Sequence, residues 1–129
     1  MRLLLDSTTV IDALRGRPAA DRLRSARRRG DELWVCAITV EEIWRGLRDG
    51  DERAAGRLFR GLRCAPLSVA EGERAGTWRR EFARRGITLH QADCLIASAA
   101  VGIGAALATG NPADFPMDGL IVEYWSVGS

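Results

Sequence analysis

The chain has 129 residues, 47 % of them apolar, which is enough for one buried core. No apolar run approaches the roughly 18 residues needed to cross a bilayer, and Met1-Arg2-Leu3-Leu4-Leu5-Asp6 is too short an apolar start for a signal peptide, so a cytoplasmic protein with no membrane attachment is expected. The formal net charge is only +2, yet all 19 basic residues are arginine. With four acids gathered in a site, the remaining surface would be basic, an arrangement suited to a polyanion held by its flanks.

Apolar strand patterns alternate with helical ones along the chain. The alternation predicts an α/β fold: a mainly parallel central sheet of four to five strands flanked by helices, with residues 1–129 as one domain. In such sheets ligands bind beyond the carboxyl ends of the strands, so acids at strand ends are the candidates to follow.

The first predicted strand, residues 2–5, runs into Asp6, a good N-cap for a helix over 8–15. A second helix, 19–29, closes on Arg27-Arg28-Arg29. The next strand, 33–37, leads to a helix over 40–48 with an apolar stripe of Val40, Ile43, Trp44 and Leu47. Its start, Thr39-Val40-Glu41-Glu42, reads as a capping box with Thr39 as N-cap and Glu42 reaching back. Spacing does not choose between Glu41 and Glu42 as a ligand. A helix over 52–61 and a short strand near 64–67 come next. The helix over 69–85 carries Trp78 and Phe82, expected in the core, and Arg79, Arg80, Arg84 and Arg85, expected in solvent near its C-terminus.

Asp93 resists a purely structural explanation. Its helix, 91–101, is apolar on nearly every side, and a buried carboxylate is costly unless something pairs with it. The first-turn dipole contributes at most about 1 kcal/mol, so a cation is the better account. His90, the sole histidine, stands just before this helix, where a cap or loop role is expected. A strand over 105–109 leads to Asn111-Pro112-Ala113-Asp114, a sound helix start, and the last strand is expected at 120–122. The three cysteines, Cys36, Cys64 and Cys94, have no CxxC spacing or histidine neighbour, so reduced core thiols are expected rather than a zinc site.

Taken in order, these stretches resemble the PIN-domain ribonucleases, and within them the VapC-type toxins of toxin–antitoxin pairs. The matching residues are Leu4-Leu5-Asp6-Ser7, Ile38-Thr39-Val40-Glu41-Glu42-Ile43-Trp44-Arg45-Gly46, Ala92-Asp93-Cys94-Leu95-Ile96-Ala97 and Thr109-Gly110-Asn111-Pro112-Ala113-Asp114-Phe115. The resemblance selects Glu42 over Glu41 and implies Asp6, Glu42, Asp93 and Asp114 as a metal-binding, catalytic quartet. It implies that Ser7 supports the first acid, and that Thr109 and Asn111 are the polar residues of the fourth motif. Gly110 departs from the family, which often carries an arginine there. The resemblance also implies Mg²⁺ or Mn²⁺ as cofactor, RNA as substrate, a homodimer, and a cognate VapB-like antitoxin whose peptide lies in an apolar groove.

Hard cations favour carboxylate oxygens, and metal-activated water would then cut the phosphodiester. The arginines of the 69–85 helix, or Arg27-Arg28-Arg29, are candidates to grip phosphate. A P-loop is excluded, because no Gly-x-x-x-x-Gly-Lys occurs. A dehalogenase-like phosphatase would need an aspartate where Thr8 stands, and both it and a receiver domain usually need a lysine, which the chain lacks. The rival from another class is a PIN-like RNA- or protein-binding module with little or no catalysis.

Overall fold

The computed structural model describes residues 1–128. Five strands form one sheet: β1 (Arg2–Leu5), β2 (Glu32–Cys36), β3 (Arg63–Ala65), β4 (Ala106–Thr109) and β5 (Val122–Tyr124), in the order β3-β2-β1-β4-β5. Every neighbouring pair is parallel, with Leu4 opposite Trp34 on one side and Leu107 on the other. The helices α1 (Ser7–Leu14), α2 (Pro18–Arg29), α3 (Ala37–Arg45), α4 (Glu52–Arg60), α5 (Val69–Arg84) and α6 (Gln91–Gly102) lie between the strands in sequence, and a short 3-10 turn, Pro112–Asp114, comes after β4.

Both faces of the sheet are covered, which explains why its central strands are apolar without alternation. Leu4 and Leu107 face one layer with Trp78 and Phe82 of α5 and Ile96 and Ala100 of α6. Leu3, Leu5, Ala106 and Ala108 face the other, with Val10 of α1, Leu23 of α2, Ile43 of α3 and Trp125. Leu3, Leu4 and Leu5 are fully buried, each contributing roughly 1.5–3 kcal/mol relative to an exposed side chain. A stretch that apolar on both faces fixes β1 at the centre, and so places Asp6 at the middle of the sheet's carboxyl edge.

The element boundaries have local causes. α2 opens with Pro18, which needs no amide partner in a first turn, and closes on Gly30 at φ 84°. The sequence pattern places the last strand at 120–122, but β5 is Val122–Tyr124. Gly119 turns the chain at φ 81°, and Leu120 packs into the α5–α6 layer before the ladder starts. The larger shift is at α3, which starts at Ala37 with Cys36 as N-cap, not at Val40. Of the three cysteines, Cys36 and Cys94 are buried and burial pushes both thiols up. Cys64 corrects the expectation: it lies exposed on edge strand β3. No described helix is long and apolar enough to cross a membrane.

Candidate active site

Asp6 leaves the end of β1 and caps α1, its Oδ1 accepting the Thr9 N–H at 3.0 Å and the Thr8 hydroxyl at 2.7 Å. A helix cap needs nothing more, yet the second oxygen is also engaged. Thr109 Oγ1, from the end of β4, donates a short hydrogen bond to Asp6 Oδ2. The carboxylate is only 3 % exposed, and an ionised carboxylate offers about four acceptor directions. Three are taken by donors from α1 and β4, which leaves one on Oδ2, aimed by both strands.

Thr109 and Thr8 bind the first motif to the fourth. Thr109 Oγ1 accepts the Asn111 N–H at 3.0 Å while donating to Asp6, and Thr8 Oγ1 accepts the Gly110 N–H at 2.8 Å while donating to Asp6. Asn111 Nδ2 in turn donates to Asp114 Oδ2 at 2.8 Å. Thr109 is thus bonded to Asp6, and Asn111 to Asp114. Thr8 was missed. The signal lay in Asp6-Ser7-Thr8, where a hydroxyl two residues after an aspartate can close a local turn onto it.

Glu42 is differently placed from the capping-box reading. Because α3 starts at Ala37, Thr39 is already inside the helix and Glu42 is too far along to reach the N-cap. Thr39 Oγ1 is buried without a partner. Glu42 Oε1 instead accepts the Ser7 hydroxyl at 2.7 Å, from the first turn of α1. This also corrects Ser7: its hydroxyl supports the helix acid Glu42, and the threonines support Asp6. Glu41 is occupied elsewhere, pairing with exposed Arg45 at 3.0 Å.

Asp93 sits in the first turn of α6, half-buried at the edge of the apolar layer. Its acidity reports what surrounds it. Burial and then the negative charge of Asp114 are the main causes that push its pKa up to about 6, with Glu42 and Asp6 adding to the rise and His90 opposing it. The four acids come from α1's cap, α3, α6 and the turn after β4, and Asp93 feels the charge of the other three. No group of three or more His, Cys, Asp or Glu side chains among the described residues closes into a ready cage for a metal ion. Glu42 and Asp114 are each bonded to a neighbour of their own, Ser7 and Asn111.

The donor set suits a hard divalent cation. It consists of carboxylate oxygens, one of them with a free, pre-aimed acceptor direction, and Mg²⁺ is usually held by one or two carboxylates with water completing its shell. A partial first shell of this kind needs no closed protein cage. Among the other expected residues, Arg79 Nε donates to Leu89 O at 3.2 Å, just before α6. Arg80 and Arg84 are exposed on α5, and Arg85 stacks over the Phe82 ring at 4.1 Å. Trp44, expected in the core, is 49 % exposed, while Trp78 and Phe82 are buried.

The chain matches the PIN domain family over residues 3–115. It is 35 % identical over 116 residues to ribonuclease VapC10 of Mycobacterium tuberculosis, covering 89 % of this chain and 86 % of that one. Ribonuclease VapC19 of the same organism is 28 % identical over 115 residues, 88 % and 92 % of the two chains. In fold it is similar to a chain in the structure of VapBC2 from Rickettsia felis bound to a DNA fragment from their promoter. There the TM-score is 0.83 at 23 % identity, over 97 % of this chain and 99 % of that one. The chain belongs to the PIN-domain family, among the VapC-type ribonucleases.

Proposed function

We propose that this chain is a Mg²⁺- or Mn²⁺-dependent endoribonuclease acting in the cytoplasm as the toxin of a toxin–antitoxin pair, with Asp6, Glu42, Asp93 and Asp114 as its catalytic quartet. The observation that carries the proposal is the gathering of Asp6, Glu42, Asp93 and Asp114 at one edge, where burial first and then the charges of Asp114, Glu42 and Asp6 push Asp93 up to about 6. Four acids from distant parts of the chain share one edge, where their repulsion is relieved only by protons or by a cation.

Asp6, Asp93 and Asp114 would hold the ion, with Glu42 as ligand or proton acceptor. When bound, the ion supplies Lewis acidity and neutralises charge growing on the phosphodiester. Thr8 and Thr109 keep Asp6 in one rotamer. Glu42, steadied by Ser7, orients the attacking water and takes its proton. The exposed arginines Arg80 and Arg84, with Arg79 and Arg85 beside them, bind the flanking phosphates. The test of that last assignment is the salt dependence of RNA binding, which flattens when these four are neutralised.

An apolar groove runs beside the quartet, lined by Ile11, Leu14, Ile43 and Leu47 with Arg15, Arg48 and Glu42 at its rim. It supports an antitoxin peptide laid along apolar residues with a basic side chain reaching the acids, as the toxin–antitoxin character of the similar structures suggests. A homodimer in solution completes the reading, to be checked by sedimentation at tens of micromolar.

The test of function is direct. Purified protein is incubated with a mixed RNA pool in Mn²⁺, in EDTA, and in EDTA followed by excess Mn²⁺. Cleavage that appears with the metal, disappears with the chelator and returns on repletion supports the nuclease reading. RNA binding without cleavage in any metal condition supports instead the binding-module reading.

A further inference from the structure

The family match ends at residue 115, and the chain beyond β5 returns to the site. Trp125 N donates to Thr109 O at 2.8 Å and the Trp125 side chain is buried. Arg22 of α2 donates to Ser126 O at 3.0 Å and to its hydroxyl at 2.7 Å. Gly128 N donates to Asp12 Oδ1 at 2.8 Å, and the other oxygen of this buried aspartate accepts the Ala19 N–H at 2.9 Å. Asp12 is thus an acid outside the quartet, spent on two backbone amides that tie the tail to α1 and α2.

Between these ties, Val127 sits against Gly110. A Cβ placed on Gly110 would lie 2.7 Å from both Val127 methyls and 3.2 Å from Thr8 Oγ1. The tail therefore occupies the space where any side chain at position 110 would stand. Gly110 has no unusual φ that would demand glycine; the demand is the close approach. Its amide is also the donor to Thr8, whose hydroxyl holds Asp6.

Resting on the metal-site reading above, we propose that the segment from Trp125 to Gly128 is a positioning strap for the cation site, with Val127 pressing the Thr109–Asn111 turn onto Thr8 so that Asp6 and Asp114 keep their aim. Val127 touches neither substrate nor metal in this scheme; it acts through Gly110 and Thr8. Partners that orient a metal's ligands typically change affinity by about 10–100-fold when removed.

The experiment measures the Mn²⁺ concentration giving half of the full thermal stabilisation, on metal-free full-length protein. Val127→Ala removes the methyls, and Gly110→Ala fills their space. Each is expected to raise the midpoint by about ten-fold. The double variant Gly110→Ala/Val127→Gly, which lets the new methyl take the vacated place, is expected to recover most of the loss. A KM for RNA unchanged at saturating Mn²⁺ accompanies the shift. Single variants that fold, judged by cooperative melting in EDTA, but keep the wild-type midpoint overturn the strap. Where one single variant does not melt cooperatively the other decides, and Val127→Thr, which keeps the pressing volume, is expected to keep the wild-type midpoint; a raised midpoint there overturns steric pressing as the cause. A wild-type protein with no Mn²⁺ stabilisation overturns the metal-site reading itself.

Discussion

Two places in this molecule carry the same hydroxyl-x-x-glutamate signature. At Ser68-Val69-Ala70-Glu71 it closes a helix end: α5 begins at Val69, and the Ser68 N–H and hydroxyl both donate to Glu71 Oε1, at 2.8 and 2.9 Å. At Thr39-Val40-Glu41-Glu42 the same letters do neither job. Strand β2 ends in a residue, Cys36, that is itself the cap, so α3 starts early and carries Thr39 and Glu42 past the position where a capping box forms. The glutamate freed from capping turns to Ser7, and its charge is felt at Asp93. The lesson is that a capping signature is read from where the preceding strand stops, and only then from the four letters.

The largest expected difference between the two sites is in chemistry. Glu42→Gln should lower RNA cleavage by on the order of 10²–10⁴, the usual range for a positioned acid–base group, while the metal-free protein melts no lower than wild type. The matching Glu71→Gln should leave cleavage unchanged. Its loss is in stability: with Ser68→Ala beside it, each should cost about 0.5–2 kcal/mol in a denaturant titration, as capping changes do. Activity lost in the Glu71 variant, or kept in the Glu42 variant, breaks the comparison. The smallest effect is at the Thr39 hydroxyl. Thr39→Val removes a buried hydroxyl that has no partner, so it should be neutral or stabilise by up to about 1 kcal/mol, opposite in sign to Ser68→Ala.

The same contrast shows what was legible in the sequence. The unbroken apolar run Leu3-Leu4-Leu5 announced a strand buried on both faces, and the apolar helix around Asp93 announced a carboxylate in need of company; both rest on transfer free energies that need no tertiary information. Pro18 and Ser68 with Glu71 mark helix starts by equally local chemistry. What failed depended on non-local partners. Nothing near Ser7 in sequence says that its hydroxyl meets Glu42, 35 residues on. Nothing near Gly110 says that a residue 17 positions later fills its side-chain space. Trp44 obeys the apolar period of its helix but falls on a stretch of surface that no other described element covers, and is 49 % exposed.

The central claim is that Asp93 is ionised at a cost, from burial first and from its neighbours' charge second, and melting of Asp93→Asn tests it most directly. Burial and the charge of Asp114 push Asp93 up to about 6 in the folded protein, from the ordinary 3.8. A raised carboxyl contributes stability that is full below about pH 4 and is lost as pH rises through about 6. At pH 7.5 in EDTA the wild type therefore carries the cost of a buried charge and its neighbours' repulsion in full, and Asp93→Asn, which keeps the shape without the charge, should melt higher. At pH 5, where native Asp93 is largely protonated, the gap should narrow. Excess Mn²⁺ at pH 7.5 should stabilise the wild type far more than the variant, and the variant should not cut RNA. An Asp93→Asn protein that melts lower than wild type in EDTA at pH 7.5, and still cleaves RNA in Mn²⁺, contradicts the account.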